Sequence, residues 1–127
     1  MIKLTFCLVR LATLSRVEFQ KYWYDTHGPL VASVADVLQI RRYVQTHSLP
    51  VDVSAGIRAS RDAPSDFDGV AELWFDSLEA MAQNGRRPEA QAAAALLLED
   101  EKRFIDLPRS PLWWGQERVV VGQPQQA

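Results

Sequence analysis

His27 stands in the run Trp23-Tyr24-Asp25-Thr26-His27-Gly28-Pro29, directly ahead of a glycine and a proline. An imidazole with an ordinary pKa near ~6.5 can take or give a proton at neutral pH, so His27 is a candidate general acid or base. The competing reading is a helix-junction histidine hydrogen-bonded to a carbonyl. At such a junction the dipoles of two helix ends oppose each other, which leaves the direction of its pKa open.

Tyr43, Gln45 and His47 alternate in the run Q-I-R-R-Y-V-Q-T-H-S and so share one face of a strand. That face is expected to point into a barrel interior. Tyr43 there can hold a carbonyl or phenolate, and His47 can act as a second acid or base. Alternatively, the three are polar side chains packed between sheets. Glu72 and Trp74 alternate in D-G-V-A-E-L-W-F-D and are expected on the matching face. A carboxylate inside a barrel needs a partner, since an unpaired buried charge is costly, and Arg41 or His47 are the candidates. For Glu72 a structural ion pair is favoured over a catalytic role. Trp23, Trp74 and Trp113, the last beside Trp114, would wall an apolar binding site. Cys7 reads as a small hydrophobe rather than a reactive thiol. Asp25 is two residues from His27 and does not face it on a helix. Glu99-Asp100-Glu101 reads as a solvated helix face. No glycine-rich phosphate loop, H-E-x-x-H pair or cysteine-histidine metal spacing is present, so neither a metal nor a tightly bound cofactor is expected.

The elements that must position these residues follow from periodicity. Ile2 to Arg10 alternates as a first strand. Ser15 with Glu18 forms a capping box opening a helix, along which Phe19, Tyr22, Trp23 and Thr26 make an apolar stripe. His27-Gly28-Pro29 interrupts that helix, and Leu30 to Leu38 resumes it, as one kinked helix or two nearly continuous ones. Gln39–Ser48 is a second strand. Residues 49–67 lose periodicity and read as a lid or a surface loop. Asp68–Asp76 is a third strand, a helix follows from Asp76-Ser77, and Pro88 opens an alanine-rich helix. Trp113–Gly122 reads as a last strand, with residues 122–127 a frayed tail. The order β-α-β-β-α-β is that of a ferredoxin-like α+β fold: a four-stranded antiparallel sheet with helices on one face. The other face, assigned Thr5, Cys7, Val9, Tyr43, Val70 and Trp74, is too apolar to stay wet. A second copy of the chain is the simplest cover, which predicts a homodimer.

Composition narrows the setting. One domain over residues 1–127 is expected from the length. The net charge of −2 and scattered basic residues argue against a nucleic-acid partner. No apolar run approaches the ~18 residues of a membrane span. A single cysteine and the lack of a signal-peptide pattern suggest a reducing, cytoplasmic location.

Several segments together resemble the EthD family of the dimeric α+β barrel superfamily. They are K-L-T-F-C-L-V-R, L-S-R-V-E-F-Q-K-Y-W-Y-D-T-H-G-P-L-V, R-R-Y-V-Q, G-V-A-E-L-W-F-D-S and E-D-E-K-R-F-I-D, with the W-x-x-x-H-G-P core from Trp23 to Pro29 the most specific. The resemblance implies a dimeric barrel. Similar barrels include muconolactone-type isomerases, polyketide cyclases, cofactor-free quinone-forming monooxygenases and haem-degrading enzymes. In the lactone isomerases a histidine at the H-G-P position works with groups on neighbouring strands, but this chain has no cysteine to match theirs. The expected function is therefore proton transfer on an apolar or aromatic oxygenated small molecule, by isomerisation, cyclisation, dehydration or cofactor-independent oxidation. The catalytic candidates are His27 and Tyr43, with Trp23, Gln45, His47, Glu72, Trp74 and Trp113 around the substrate. A non-catalytic ligand-binding accessory protein and a haem-handling barrel are the alternatives.

Overall fold

Strand β1 (Ile2–Leu8) pairs antiparallel with β3 (Gly69–Phe75), β3 pairs with β2 (Arg42–His47), and β1 pairs with β4 (Leu112–Gly115). The sheet order is β2-β3-β1-β4, the four-stranded antiparallel arrangement of a ferredoxin-like α+β fold. These relations come from a computed structural model, which describes residues 1–123. Of the tail expected to fray, residues 124–127 lie outside the described residues.

Helix α1 (Arg16–Tyr22) begins as the sequence predicts: Ser15 accepts from the Glu18 amide and Glu18 accepts from the Ser15 amide, a complete capping box. The helix then does not break. It widens into one π-helical turn (Trp23–His27) and continues as α2 (Gly28–Leu38), with Gly28 itself helical at φ −54. Phe19, Trp23, His27 and Val31 are exposed by 0, 1, 5 and 2%, respectively. A spacing of four drifts around an α-helix of 3.6 residues per turn. The wider turn holds the four residues on one inward line and leaves Thr26, which the expected stripe included, exposed. His27-Gly28-Pro29 therefore marks a change of winding, with no helix end at His27 to supply opposing dipoles.

The helices α4 (Leu78–Asn84) and α5 (Pro88–Glu101) follow β3, and α5 buries Ala90, Ala93, Leu97 and Asp100. Two apolar clusters fill the layer between helices and sheet. One joins Phe6, Leu8 and Ala71 to Phe19, Trp23 and Phe104; the other joins Phe75 and Ile40 to Val31 and Leu97. Residues 49–67 are more ordered than their pattern suggests, since they contain a 3₁₀ turn (Val51–Ser54) and α3 (Ala55–Ala59). Arg16 ties the segment down through Asp66 at 3.0 Å and the Leu49 carbonyl at 3.1 Å. The last strand is shorter than expected: β4 ends at Gly115, and Val119–Val121 lie outside any strand.

Register corrects one expectation about faces. Tyr43 pairs with Leu73, Gln45 with Ala71 and His47 with Gly69, whereas Arg42 pairs with Trp74 and Val44 with Glu72. Paired residues share a face, so Tyr43, Gln45 and His47 point toward the helices. Glu72 and Trp74 point the other way, with Lys3, Thr5, Cys7, Val70 and, on β4, Trp113. The pattern of alternation within each strand was right, but only pairing decides which faces coincide. Among the described residues no helix covers this second face.

Candidate functional site

A groove of about 1020 Å³ runs between the helix side of β2 and the flank of α1, the π turn and α2. Tyr43, Gln45 and His47 form its strand side; Gln20, Tyr24, Gly28, Pro29 and Ala32 are among its helix-side lining. The three strand residues make one hydrogen-bonded chain. Gln45 Nε2 donates to the Trp23 carbonyl at 2.9 Å and to Tyr43 Oη at 2.8 Å, while Gln45 Oε1 lies 2.8 Å from His47 Nε2.

This chain determines protonation. A backbone carbonyl can only accept, so the Gln45 amide must turn its NH₂ toward Trp23 and its oxygen toward His47. His47 Nε2 then carries the hydrogen, and the neutral ring keeps its lone pair on Nδ1. Burial lowers the His47 pKa, which favours that neutral form. The Trp23 indole stacks on the imidazole at 4.5 Å between centroids, and Tyr24 meets it edge-on at 5.9 Å. Burial raises the Tyr43 phenol, against the opposing pull of hydrogen bonds from Gln45 and Trp23, so it stays protonated. Its hydroxyl accepts from Gln45 and has no acceptor of its own among the described residues. The groove thus carries a proton acceptor and a proton donor held by one glutamine.

Two close approaches build this arrangement. A Cβ on Gly69 would meet Trp23 ring atoms at 2.3 and 2.7 Å, so only glycine lets the indole lie flat across β3 beneath His47. A Cβ on Gly28 would come within 3.4 Å of Gln45 Nε2.

His27 points away from the groove. Its Nδ1 lies 2.7 Å from Asp100 Oδ2, and Asp100 Oδ1 accepts from the Tyr22 hydroxyl at 2.6 Å. The π turn is thereby latched to α5, with the His27 ring against Phe104. Burial draws the imidazole below its ordinary value, in opposition to Asp100. Burial alone would raise Asp100, but the hydrogen bonds from Tyr22 and His27 outweigh it and keep the carboxyl below its ordinary range. The next residue, Glu101, has no such donors. Burial, then the charge of Asp100, pushes it up to about 7.

The remaining candidates lie elsewhere. On the face away from the helices, Glu72 takes Lys3 at 2.7 Å as its partner, in place of the expected Arg41 or His47. Arg41 pairs with Asp76 instead. Trp74 donates to Glu117, and Arg42 sits 5.1 Å over its ring. Trp113 on β4 is half exposed. Cys7 is buried, and burial followed by Glu72 raises its thiol. Among the described residues no group of three or more histidine, cysteine, aspartate or glutamate side chains is placed to hold a metal.

The model of the EthD domain matches residues 11–108. The chain belongs to the EthD family. Its fold is similar to that of an EthD family protein from Bacillus halodurans, at 21% identity and a TM-score of 0.61, covering 93% of this chain and 99% of that one. An EthD-like protein from Ralstonia eutropha is similar at 19% identity and a TM-score of 0.60, covering 96% and 95%. A dimeric protein of ferredoxin-like fold from Bacteroides fragilis is similar at 11% identity and a TM-score of 0.56, covering 91% and 95%. No curated protein matches this EthD sequence.

Within this EthD chain, the residue that sequence reasoning missed is Asp100. By sequence the run Glu99-Asp100-Glu101 reads as a solvated helix face. Yet Ala90, Ala93, Leu97, Asp100 and Phe104 recur at steps of three and four, which marks Asp100 as the one carboxylate on the buried stripe of α5.

Proposed function

We propose that this EthD chain is a homodimeric enzyme that moves a proton on an apolar or aromatic small molecule carrying an oxygen function. The observation that carries this reading is the Tyr43–Gln45–His47 chain on the wall of the groove, whose amide orientation leaves His47 Nδ1 as a free base beside a protonated phenol. His47 Nδ1 removes a proton from the bound molecule. Tyr43 donates its hydrogen bond to the oxygen on which charge develops, and Gln45 holds the two in fixed relation. Tyr24, which lines the groove beside His47, provides the aromatic surface that a planar substrate lies against, and the buried Trp23 ring backs the imidazole from the core side. This chemistry serves enolisation, isomerisation, cyclisation or dehydration without a bound organic cofactor.

His27 enters as a positioning residue. Its bond to Asp100 keeps the π turn wound, and the π turn sets Trp23 under His47. The uncovered sheet face and the description of a similar protein as dimeric support the homodimer. A buried, unpaired Cys7 is in keeping with a reducing, cytoplasmic setting. No helix among the described residues is long and apolar enough to cross a membrane.

The test is a panel of phenols, quinols and enolisable ketones screened first for binding by thermal shift and then for turnover. His47→Ala is expected to lose about 10²–10⁴-fold in turnover, the usual worth of a general base, while still binding. Full activity in that variant removes His47 from the mechanism. Binders without turnover in the wild type would favour an accessory ligand-binding role, and a Soret shift on adding haem would favour haem handling.

A further inference from the structure

Glu101 lies in the layer behind the groove and has no part in the chain Tyr43–Gln45–His47. On α5 and its exit, Ala93, Leu97 and Ile105 are exposed by 7, 9 and 3%, and Glu101 falls between the last two at the same step of four. A carboxyl in such a row is turned inward, and Glu101 is half-buried there. Leu97 belongs to one apolar cluster and Ile105 to the other, and Tyr43 packs against both. The carboxyl and the phenol therefore enter one layer from opposite sides, α5 and β2.

Neither group is satisfied in that layer. Tyr43 Oη accepts from Gln45, but its own hydrogen has no acceptor among the described residues. No hydrogen bond or ion pair among the described residues engages the Glu101 carboxyl, because Asp100 takes both Tyr22 and His27. Polar groups left unpaired inside a fold are few, and each calls for a role. The other elements packed on α5 bring Glu101 no compensating charge. Helix α2 carries only Asp36, which is exposed and acts on Arg41. Arg103 is exposed and lies 3.8 Å from Asp100. Burial, then the charge of Asp100, sets Glu101 at about 7, so it changes charge near neutral pH.

We infer that Glu101 is a positioning residue for Tyr43: neutral, it lets the phenol stabilise an anionic oxygen in the groove, and ionised, it opposes that oxygen. This rests on the reading of Tyr43 as the donor in the proposed function. Negative charge growing on an oxygen bound at Tyr43 meets a like charge when Glu101 has lost its proton. In half-buried surroundings that repulsion reaches beyond contact distance. The same charge adds to burial in raising the Tyr43 phenol, which makes it a poorer donor. Glu101 thus selects ligands that are, or become, phenolates or enolates, and does so best on the acid side of about 7.

Two measurements on the full chain test this role. The first is calorimetric binding of 2,4-dinitrophenol, which stays ionised from pH 6 to pH 9. Wild-type affinity should fall about tenfold as the pH rises through about 7, the order expected of two like charges in one half-buried site. Glu101→Gln should keep the tight value across the range. Any loss caused by His47 giving up a proton lies lower in pH and is common to both proteins. In the second, tyrosine is labelled with ¹³C at Cζ, and the resonance missing from Tyr43→Phe is followed against pH. It should step near pH 7 in the wild type and not in Glu101→Gln. An equal fall in affinity in both proteins, or no step in the wild type, overturns the role of Glu101 and leaves Tyr43 as donor. Wild type that fails to bind the dinitrophenolate, or Tyr43→Phe that binds it equally well, overturns the donor and Glu101 together.

Discussion

His27 and Glu101 titrate in opposite directions on folding, although they lie close to the same carboxylate. The folded protein holds His27 below its ordinary value, so the unfolded chain binds more protons and stability falls as the pH drops through about 6.5. Asp100, held below its ordinary value, adds a further loss at lower pH. Glu101 acts the other way. Its folded pKa of about 7 stands above the free value of 4.5, so the folded state binds the extra proton and stability falls as pH rises between them. The melting temperature should therefore pass through a maximum in mildly acidic solution. Glu101→Gln should remove the decline between pH 5 and 8 and leave the acid-side loss intact, as followed by thermal denaturation across pH. An identical alkaline decline in the variant would show that Glu101 is not its source.

At the scale of the element, the π turn explains how one helix serves two sides. Its inward line places Phe19 and Trp23 in the core and His27 on Asp100, while its flank lines the groove with Tyr24, Gly28 and Pro29. Trp23 is the hinge between these tasks, since its ring supports His47 and its carbonyl orients Gln45. The ring can lie there only because residue 69 lacks a Cβ. Gly69→Ala should cost roughly 1–3 kcal/mol through overpacking. It should also weaken the near-ultraviolet dichroism from Trp23 as the indole is displaced. Wild-type stability together with an unchanged aromatic signal would mean that β3 can shift to make room.

For the whole molecule, the decisive feature is a sheet with unequal faces. The helix side is filled by two apolar clusters; the other side carries Val44, Val70 and Trp74 among the paired charges of Lys3 and Glu72. Covering that face with a second copy would bury the valines and draw the ion pair further from water, where it is retained because both partners are present. Wild-type protein is expected at twice the 14.4 kDa chain mass by light scattering. Val44→Asp, which sets an unpaired carboxylate on the face that the second copy covers, should run as the single chain with its helix content preserved. A Val44→Asp dimer would place the interface elsewhere.

Local signals in the sequence determined the elements and their order. The Ser15–Glu18 box, the alternation in Ile2–Leu8 and Gly69–Phe75, and the run opened by Pro88 each depend on neighbours a few residues away. The W-x-x-x-H-G-P core, together with the order and spacing of the segments around it, indicated the family. Tertiary structure alone decided which residues meet. Tyr43, Gln45 and His47 were legible as one face, but only the pairing of β2 with β3 turned that face to the helices and separated it from Glu72 and Trp74. His27 stood out by its motif, whereas its partner Asp100 lies 73 residues away and is reached only when α5 packs on the π turn. Periodicity describes what one segment presents; register and packing between distant segments decide what it faces, and chemistry depends on the second.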